Sequence, residues 1–471
     1  MSWAFLYVLG QHGALANQRT DGKGGGARGP IWGDSGTKCY ISGICHQMVP
    51  AASLSRERFS LLFAVMLVAA SGNTAMQSLM PAIGRELKVA DLWVAVAFSL
   101  SAVIWVMMAP YWARRADHRG RRALMRLGLY GFIASSLICG GILAAGLHGL
   151  IPATIVFVVF VFGRAVYGAW GSASPPAVQA YIAARTEGEQ RTAYLAALAS
   201  SFGLGTIIGP AIAPLFIFEP LGLSGPLIVF AAIGVVVLAW VALRLPDDTP
   251  SSAARGEVVD YPSMGGTLVT RSERGEAAAA NAPERLRWRD PRVLPWHIIG
   301  VAGGHGHAAL LGVIGFLVID RSGVAPSQSQ QSIAIVLMAG AGATLLAQWG
   351  LIPYLALGPR RLVLWGLAVA AAGTAMTGFA GTMYGMTLGF AVASVGFGLF
   401  RPGFTSGASL AVRPDEQNAV AGMVTSVNGV AYIAAPAVGV LLYGWWIPLP
   451  FLVTAAGMVV LALWVWARVK A

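Results

Sequence analysis

Two histidines, His305 and His307, stand two residues apart in the otherwise apolar stretch VAGGHGHAAL. Imidazole titrates near ~6.5, so it can load and unload a proton at physiological pH. A spacing of two on a helix turns the rings about 200° apart, so at most one can face a central cavity. A packed, neutral histidine is an equal reading for either. Two guanidiniums are similarly isolated among apolar residues, Arg164 in FGRAVYGAWGS and Arg401 before Pro402. A cation at mid-bilayer costs ~2.5–3.5 kcal/mol on insertion scales, so Arg164 needs a partner or a wet cavity, whereas Arg401, nearer a helix end, can also snorkel. Asn73 and Gln77, four residues apart, and Asn428 add neutral hydrogen-bonding groups. Together these groups suit holding a solute and moving a proton. Bond-breaking chemistry needs convergent groups, and the adjacent acid pairs Asp247-Asp248 and Asp415-Glu416 each lie in a polar loop with basic company. An enzyme is therefore not expected, and no cofactor is implied.

The elements that must carry these residues are set by composition. Hydrophobic residues make up 56% of the 471 and charged residues 11%, against roughly 25% charged in a soluble domain. Apolar runs fall at 59–82, 91–113, 123–147, 150–183, 190–218, 224–245, 295–319, 328–352, 360–380, 383–411, 417–443 and 447–467. Each reaches the ~20 residues that a helix needs to cross ~30 Å of hydrocarbon. The expectation is an all-α membrane protein of twelve transmembrane helices, with the lipid bilayer as its solvent.

Basic residues orient the chain, because Lys and Arg near helix ends are retained on the cytoplasmic side. With the first helix running outward, the cytoplasmic segments hold twenty of them, among them five in YWARRADHRGRR (111–122), eight between Arg244 and Arg292, Arg360, Arg361 and Arg468. The opposite loops hold Arg85, Lys88 and Arg321. Both termini are thus placed in the cytoplasm, and the net charge of +12 reports topology. No solvated basic domain is visible for a nucleic-acid partner. Arginine outnumbers lysine 28 to 4, which suggests a GC-rich bacterial genome and a bacterial inner membrane. Cys39, Cys45 and His46 offer at most three ligands at an unusual spacing, so no metal site is expected.

The chain reads as a duplication. Pro110-Tyr111 followed by Arg121-Arg122 matches Pro353-Tyr354 followed by Arg360-Arg361, and EQRTAYLAALASSFGLGTIIGPAIAP (189–214) matches EQNAVAGMVTSVNGVAYIAAPAVG (416–439). Spans two and eight correspond, as do five and eleven. Four segments follow: a tail at 1–58, a six-helix half at 59–245, a polar linker at 246–294 that is partly helical near Pro283 to Arg292, and a second half at 295–471.

Two parallel six-helix bundles are the arrangement of the major facilitator superfamily, and several motifs resemble that family. ADHRGRR resembles its loop after the second helix, FGRAVYGAWGS its fourth-helix arginine-glycine motif, and GLGTIIGPAIAP (203–214) the fifth-helix motif of twelve-span drug:proton antiporters. AYIAARTEGEQR (180–191) is similar to the fourth-to-fifth connection of tetracycline exporters. The resemblance covers about residues 59–468. It implies that Asp117, Gly120, Arg121 and Arg122 gate the transporter through an interdomain latch holding the outward-facing state. For Arg164 it implies contact with substrate or with a proton carrier, where packing against backbone carbonyls is the plainer reading. Gly168 and Gly171 lie on the Arg164 face, and Gly205, Gly209 and Pro210 make a flat, bent helix face suited to close packing. A monomeric secondary exporter of small molecules is expected, with a proton as coupling ion, of multidrug or tetracycline type. An exporter of an anionic metabolite such as a siderophore, or an importer, is the alternative. Tetracycline exporters carry an acid in the first helix, whereas this sequence has SGNTAMQSLMP there. Proton coupling would then fall to a histidine or to an acid at a helix end, such as Asp91 or Asp320.

Overall fold

A computed structural model describes residues 54–183, 185–186, 188–246, 286–413 and 416–469. Six helices form the first half: α1 (Arg56–Glu86), α2 (Asp91–Arg119), α3 (Arg121–Leu147), α4 (Ala153–Trp170), α5 (Gly188–Ile212) and α6 (Gly225–Arg244). Through a 3-10 turn at Gly171–Ala173, α4 continues as Ser174–Ala183. The second half comprises α7 (Leu294–Ser322), α8 (Gln330–Leu345), α9 (Pro359–Phe379), α10 (Met383–Leu410), α11 (Gln417–Trp445) and α12 (Leu449–Arg468). A π-helical turn at Leu346–Leu351 extends α8 to Leu355. Among the described residues eleven helices are long and apolar enough to cross a membrane, and a shorter apolar stretch, Gly203–Phe216, runs from α5 into the 3-10 turn Ala213–Phe216. The chain is a multi-pass membrane protein.

The duplication is visible in the packing. In the first half α1 lies against α5, and α3 against α4 and α6; in the second α7 lies against α11, and α9 against α10 and α12. One hydrogen bond repeats with the pairs. Arg122, the second residue of α3, donates to the Ala242 carbonyl in the last turn of α6. Arg360, the second residue of α9, donates from Nη2 to the Trp466 carbonyl in the last turn of α12, at 2.9 Å. Carbonyls of a last helical turn lack intrahelical partners, and in each half an arginine at the equivalent place supplies one. Between the halves α2 packs on α11, α5 on α8 and α1 on α7.

Side-chain burial is arranged for lipid. Tyr181, Phe160, Phe316, Phe400 and Phe404 are enclosed, while Val158, Phe162, Trp365 and Trp466 are exposed on the outer faces. Water would drive such side chains inward, but hydrocarbon does not.

Two boundaries differ from the sequence reading. The first helix starts at Arg56, inside the expected tail, because Ser55 caps it: its Oγ accepts from the Arg58 backbone amide at 3.3 Å. The described end of the linker, 286–293, forms turns and no helix. Pro291 removes a backbone donor, and Asp290 takes the Arg292 amide with its side chain at 2.9 Å, so the local bonds compete with a helix. The tail through residue 53, including Cys39, Cys45 and His46, and linker residues 247–285 lie outside the described residues.

The α1–α5 contact depends on absent side chains. A Cβ on Gly209 would stand 2.2 Å from the Ser71 carbonyl oxygen and 2.3 Å from Thr74 Oγ1, and one on Gly205 would stand 2.5 Å from the Ala70 Cβ. Thr74 Oγ1 donates to the Gly205 carbonyl at 3.1 Å across the same contact. Gly209→Ala is therefore expected to lower stability by ~1–3 kcal/mol, read as a drop in the unfolding midpoint of the purified protein in detergent. Gly203→Ala, which meets nothing within 4 Å, should leave that midpoint within error of the parent.

Candidate transport pathway

Seen along the helices, the molecule has a basic end, where α3 and α9 begin and α6 and α12 finish, and an opposite end. At the opposite end one guanidinium joins the two halves. Arg85, in the last turn of α1, is bound to Asp91 at the start of α2 through Nε and Nη2, each at 2.6 Å. It also reaches Asp320 near the end of α7, with Nη1 3.0 Å from Oδ1 and Nη2 3.2 Å from Oδ2. Tyr443, near the end of α11, donates its hydroxyl to Asp320 Oδ2 at 2.6 Å. The guanidinium also lies 5.8 Å from the centre of the Phe316 ring. Two further bonds cross here. The Ser327 amide donates to Glu86 Oε1 at 2.9 Å, and Gln330 Nε2 donates to Ser78 Oγ at 3.1 Å. Gly315 has no side chain where Pro81 of α1 comes close, so α7 meets α1 directly.

Deeper in the first half, Arg164 is 4% exposed. Its guanidinium lies 4.5 Å from the Phe98 ring centre and 5.2 Å from that of Tyr167, and Nη1 is 3.6 Å from Met76 Sδ. Nε has no hydrogen-bond partner. Instead of the expected backbone carbonyls or an open crevice, the cation has an aromatic cage. A desolvated cation–π contact is worth ~2 kcal/mol or more, comparable with the ~2.5–3.5 kcal/mol cost of placing the charge at that depth. Ser101 of α2 donates to the Arg164 carbonyl at 2.9 Å, and a Cβ on Gly168 would stand 2.6 Å from the Ser101 carbonyl oxygen. Gly168 thus sets how closely α2 and α4 approach, and the Gly171 position is filled by the Tyr167 ring of its own helix.

In the second half, His307, Arg401 and Tyr432 gather from α7, α10 and α11, close enough for the Arg401 charge to act on the other two. The His307 ring stacks on Phe397 with centroids 4.6 Å apart and planes 27° apart. His305, on the other side of α7, is occupied by its own helix, with Nδ1 2.7 Å from the Val301 carbonyl oxygen. Asn428 likewise bonds within its helix, to the Val424 carbonyl at 3.0 Å. Arg401 is exposed nine residues before the end of α10. On α1, Gln77 is exposed between buried Met76 and Ser78, and Asn73 Oδ1 has no partner. Each stands nine residues from its helix end, so an exposed amide and an exposed guanidinium there must reach water, in a cavity or by snorkelling, because hydrocarbon satisfies neither.

Two ion-pair groups among the described residues lie at the basic end. Arg244 of α6 meets Glu57 of α1 at 3.0 Å, and Arg292 Nη2 meets Glu416 Oε1 at 2.9 Å and Asp290 Oδ2 at 2.8 Å. The Arg292 hydrogen bonds hold the Glu416 and Asp290 carboxyls below their ordinary range. Gly120 alone joins α2 to α3, at φ +83°, a conformation that a Cβ disfavours. Arg121 starts α3 beside the Arg122 tie. The Asp117 side chain lies outside the described residues.

Sequence reasoning thus marked the central cations and histidines individually, but not the Arg164 cage or the role of Tyr443. The signal for the opposite-end cluster was available: Arg85, Asp91 and Asp320 carry opposite charges within a turn or so of helix ends in the sparsely charged loops.

Twelve helices in two like halves, joined at one end by polar bonds among the described residues, carry exposed polar groups well inside their apolar spans. The profile of the Major Facilitator Superfamily matches residues 61–355, and the chain belongs to that superfamily. It is similar to the class D tetracycline resistance protein of Salmonella ordonez, 30% identical over 151 residues, 31% of this chain and 35% of that protein. Multidrug transporter protein MdtP of Bacillus subtilis (strain 168) is 22% identical over 267 residues, 56% of this chain and 44% of that protein. The matches span less than half the length of these relatives. Among solved structures, a bacterial homolog of the human lysosomal transporter Spinster, inward-facing and unoccupied, superposes with a TM-score of 0.66 at 11% identity, covering 86% of this chain and 95% of that one.

Asp320→Asn removes the charge that draws Arg85 across the halves and keeps an acceptor for Tyr443. Such a partly exposed charge-assisted pair contributes about 1–2 kcal/mol, so the population open at this end should rise roughly tenfold. Distances between spin labels on the α1–α2 and α7–α8 loops would report the change. A second expectation concerns pH. Because the folded-state values of Glu416 and Asp290 are depressed, their contribution is fully present above the unfolded values and disappears as pH falls through the folded ones. The unfolding midpoint should therefore drop on acidification below about pH 4, and Glu416→Gln should flatten that drop.

Proposed function

We propose that the protein is a secondary active exporter of small molecules, working by alternating access between halves 59–245 and 295–471 joined by the linker 246–294. The basic end faces the cytoplasm of a bacterium, in its inner membrane, and the monomer is the working unit. The observation that carries this reading is the Arg85 bridge to Asp320 and Tyr443, which seals the far end with bonds that can break and reform. Asp117, Gly120, Arg121 and Arg122 would make the matching latch when the basic end closes.

Proton-coupled multidrug or tetracycline-like efflux is the cargo reading we favour, supported by the names of two relatives. Asp320 is the acid best placed to couple: a proton there releases Arg85 and leaves Asp91 as its remaining anion. A second reading, export of an anionic solute, is favoured by the exposed Arg401, which has no carboxylate beside it among its named neighbours His307 and Tyr432.

Everted membrane vesicles offered tetracycline, a lipophilic dye cation or an aromatic carboxylate separate these readings. Uptake above empty-vector vesicles that collapses with the pH gradient is expected for the first. If only the carboxylate accumulates, and Arg401→Ala reduces it at least tenfold, the second holds. No uptake of any of the three above the empty vector would overturn both.

A further inference from the structure

A groove of about 430 Å³ runs between α9 and α12 on the outer face of the second half. Leu364, Trp365 and Ala368 form one wall, Val459, Ala462 and Leu463 the other, and Trp466 stands at the mouth. From Val459 to Trp466 the groove follows α12 for seven residues, ~10 Å of helix. Its mouth opens at the basic end. There Arg360 and Arg361 begin α9 and Arg468 finishes α12, with Arg361 and Arg468 exposed. Neither helix contains an acidic residue.

The mouth also has unused hydrogen-bonding capacity for an anion. A guanidinium carries five donors. Arg360 gives Nη2 to the Trp466 carbonyl, and Arg361, which starts the α9 face carrying Leu364, Trp365 and Ala368, is exposed. The first amides of α9 lie at the positive end of its dipole. An apolar slot with Arg361 on the same face of α9 as Leu364, Trp365 and Ala368, Arg360 beside it and an exposed indole at its flank has the chemistry of one kind of molecule.

We propose that this groove binds an anionic phospholipid, with one acyl chain between α9 and α12 and the headgroup phosphate at Arg360 and Arg361. A second copy of the chain fits less well, because the mouth would then set like charges against each other. A zwitterionic lipid would fill the groove without neutralising its rim.

The test uses the purified full-length protein, delipidated in detergent and given dioleoylphosphatidylglycerol or dioleoylphosphatidylcholine, with retained lipid counted by native mass spectrometry. One phosphatidylglycerol per chain should be held in preference to phosphatidylcholine. Arg361→Gln, which spares the Arg360 tie to α12, should lower its retention roughly fivefold. Ala462→Trp should fill the slot and displace the lipid, with the unfolding midpoint showing that each variant is folded. Equal retention of both lipids, indifference to Arg361→Gln in a folded variant, or efficient cross-linking of Leu463→Cys chains to each other in phosphatidylglycerol bilayers would overturn the proposal.

Discussion

One guanidinium between two carboxylates joins the two halves at one end of this molecule. Arg85 holds Asp91 within its own half more tightly than Asp320 in the other, at 2.6 Å against 3.0–3.2 Å. The arrangement is asymmetric in a useful way. When the halves part, Arg85 keeps an anion and is never stranded, so opening does not expose a bare charge to low dielectric, which would be costly. Asp320 is the group that must find water or a proton, and Tyr443 travels with it.

The interior is organised by the same economy of charge. Among the described residues Arg164 has no carboxylate partner and is held by ring faces, and Arg401 stands near a histidine and a tyrosine. A bilayer chain with its acids at helix ends can still retain cations at depth, provided that π electrons or water take the place of counter-ions. The first device fixes Arg164 inside its half; the second leaves Arg401 accessible.

Much of this was legible in the residues. The spans, the duplication and the paired Arg121-Arg122 and Arg360-Arg361 followed from hydropathy and spacing, because lipid imposes long apolar helices and the repeat preserves register. The tight turn at Gly120 was legible for a similar local reason. What could not be read was which groups meet across helices remote in sequence. Arg85 and Asp320 are 235 positions apart, and nothing in either neighbourhood encodes their contact. The Arg164 cage was hidden because Phe98 and Tyr167 look like ordinary lipid-facing aromatics until α2 and α4 are packed. The helix expected near Arg292 is absent at 286–293 because Pro291 lacks a donor and Asp290 bonds locally to Arg292.

The single-residue joint at Gly120 has a mechanical meaning. With α2 ending at Arg119 and α3 starting at Arg121, there is no slack between the helix that touches the other half and the helix stapled to α6. Any tilt of α2 against α11 must be taken up as torsion at one α-carbon or handed on to α3 as leverage.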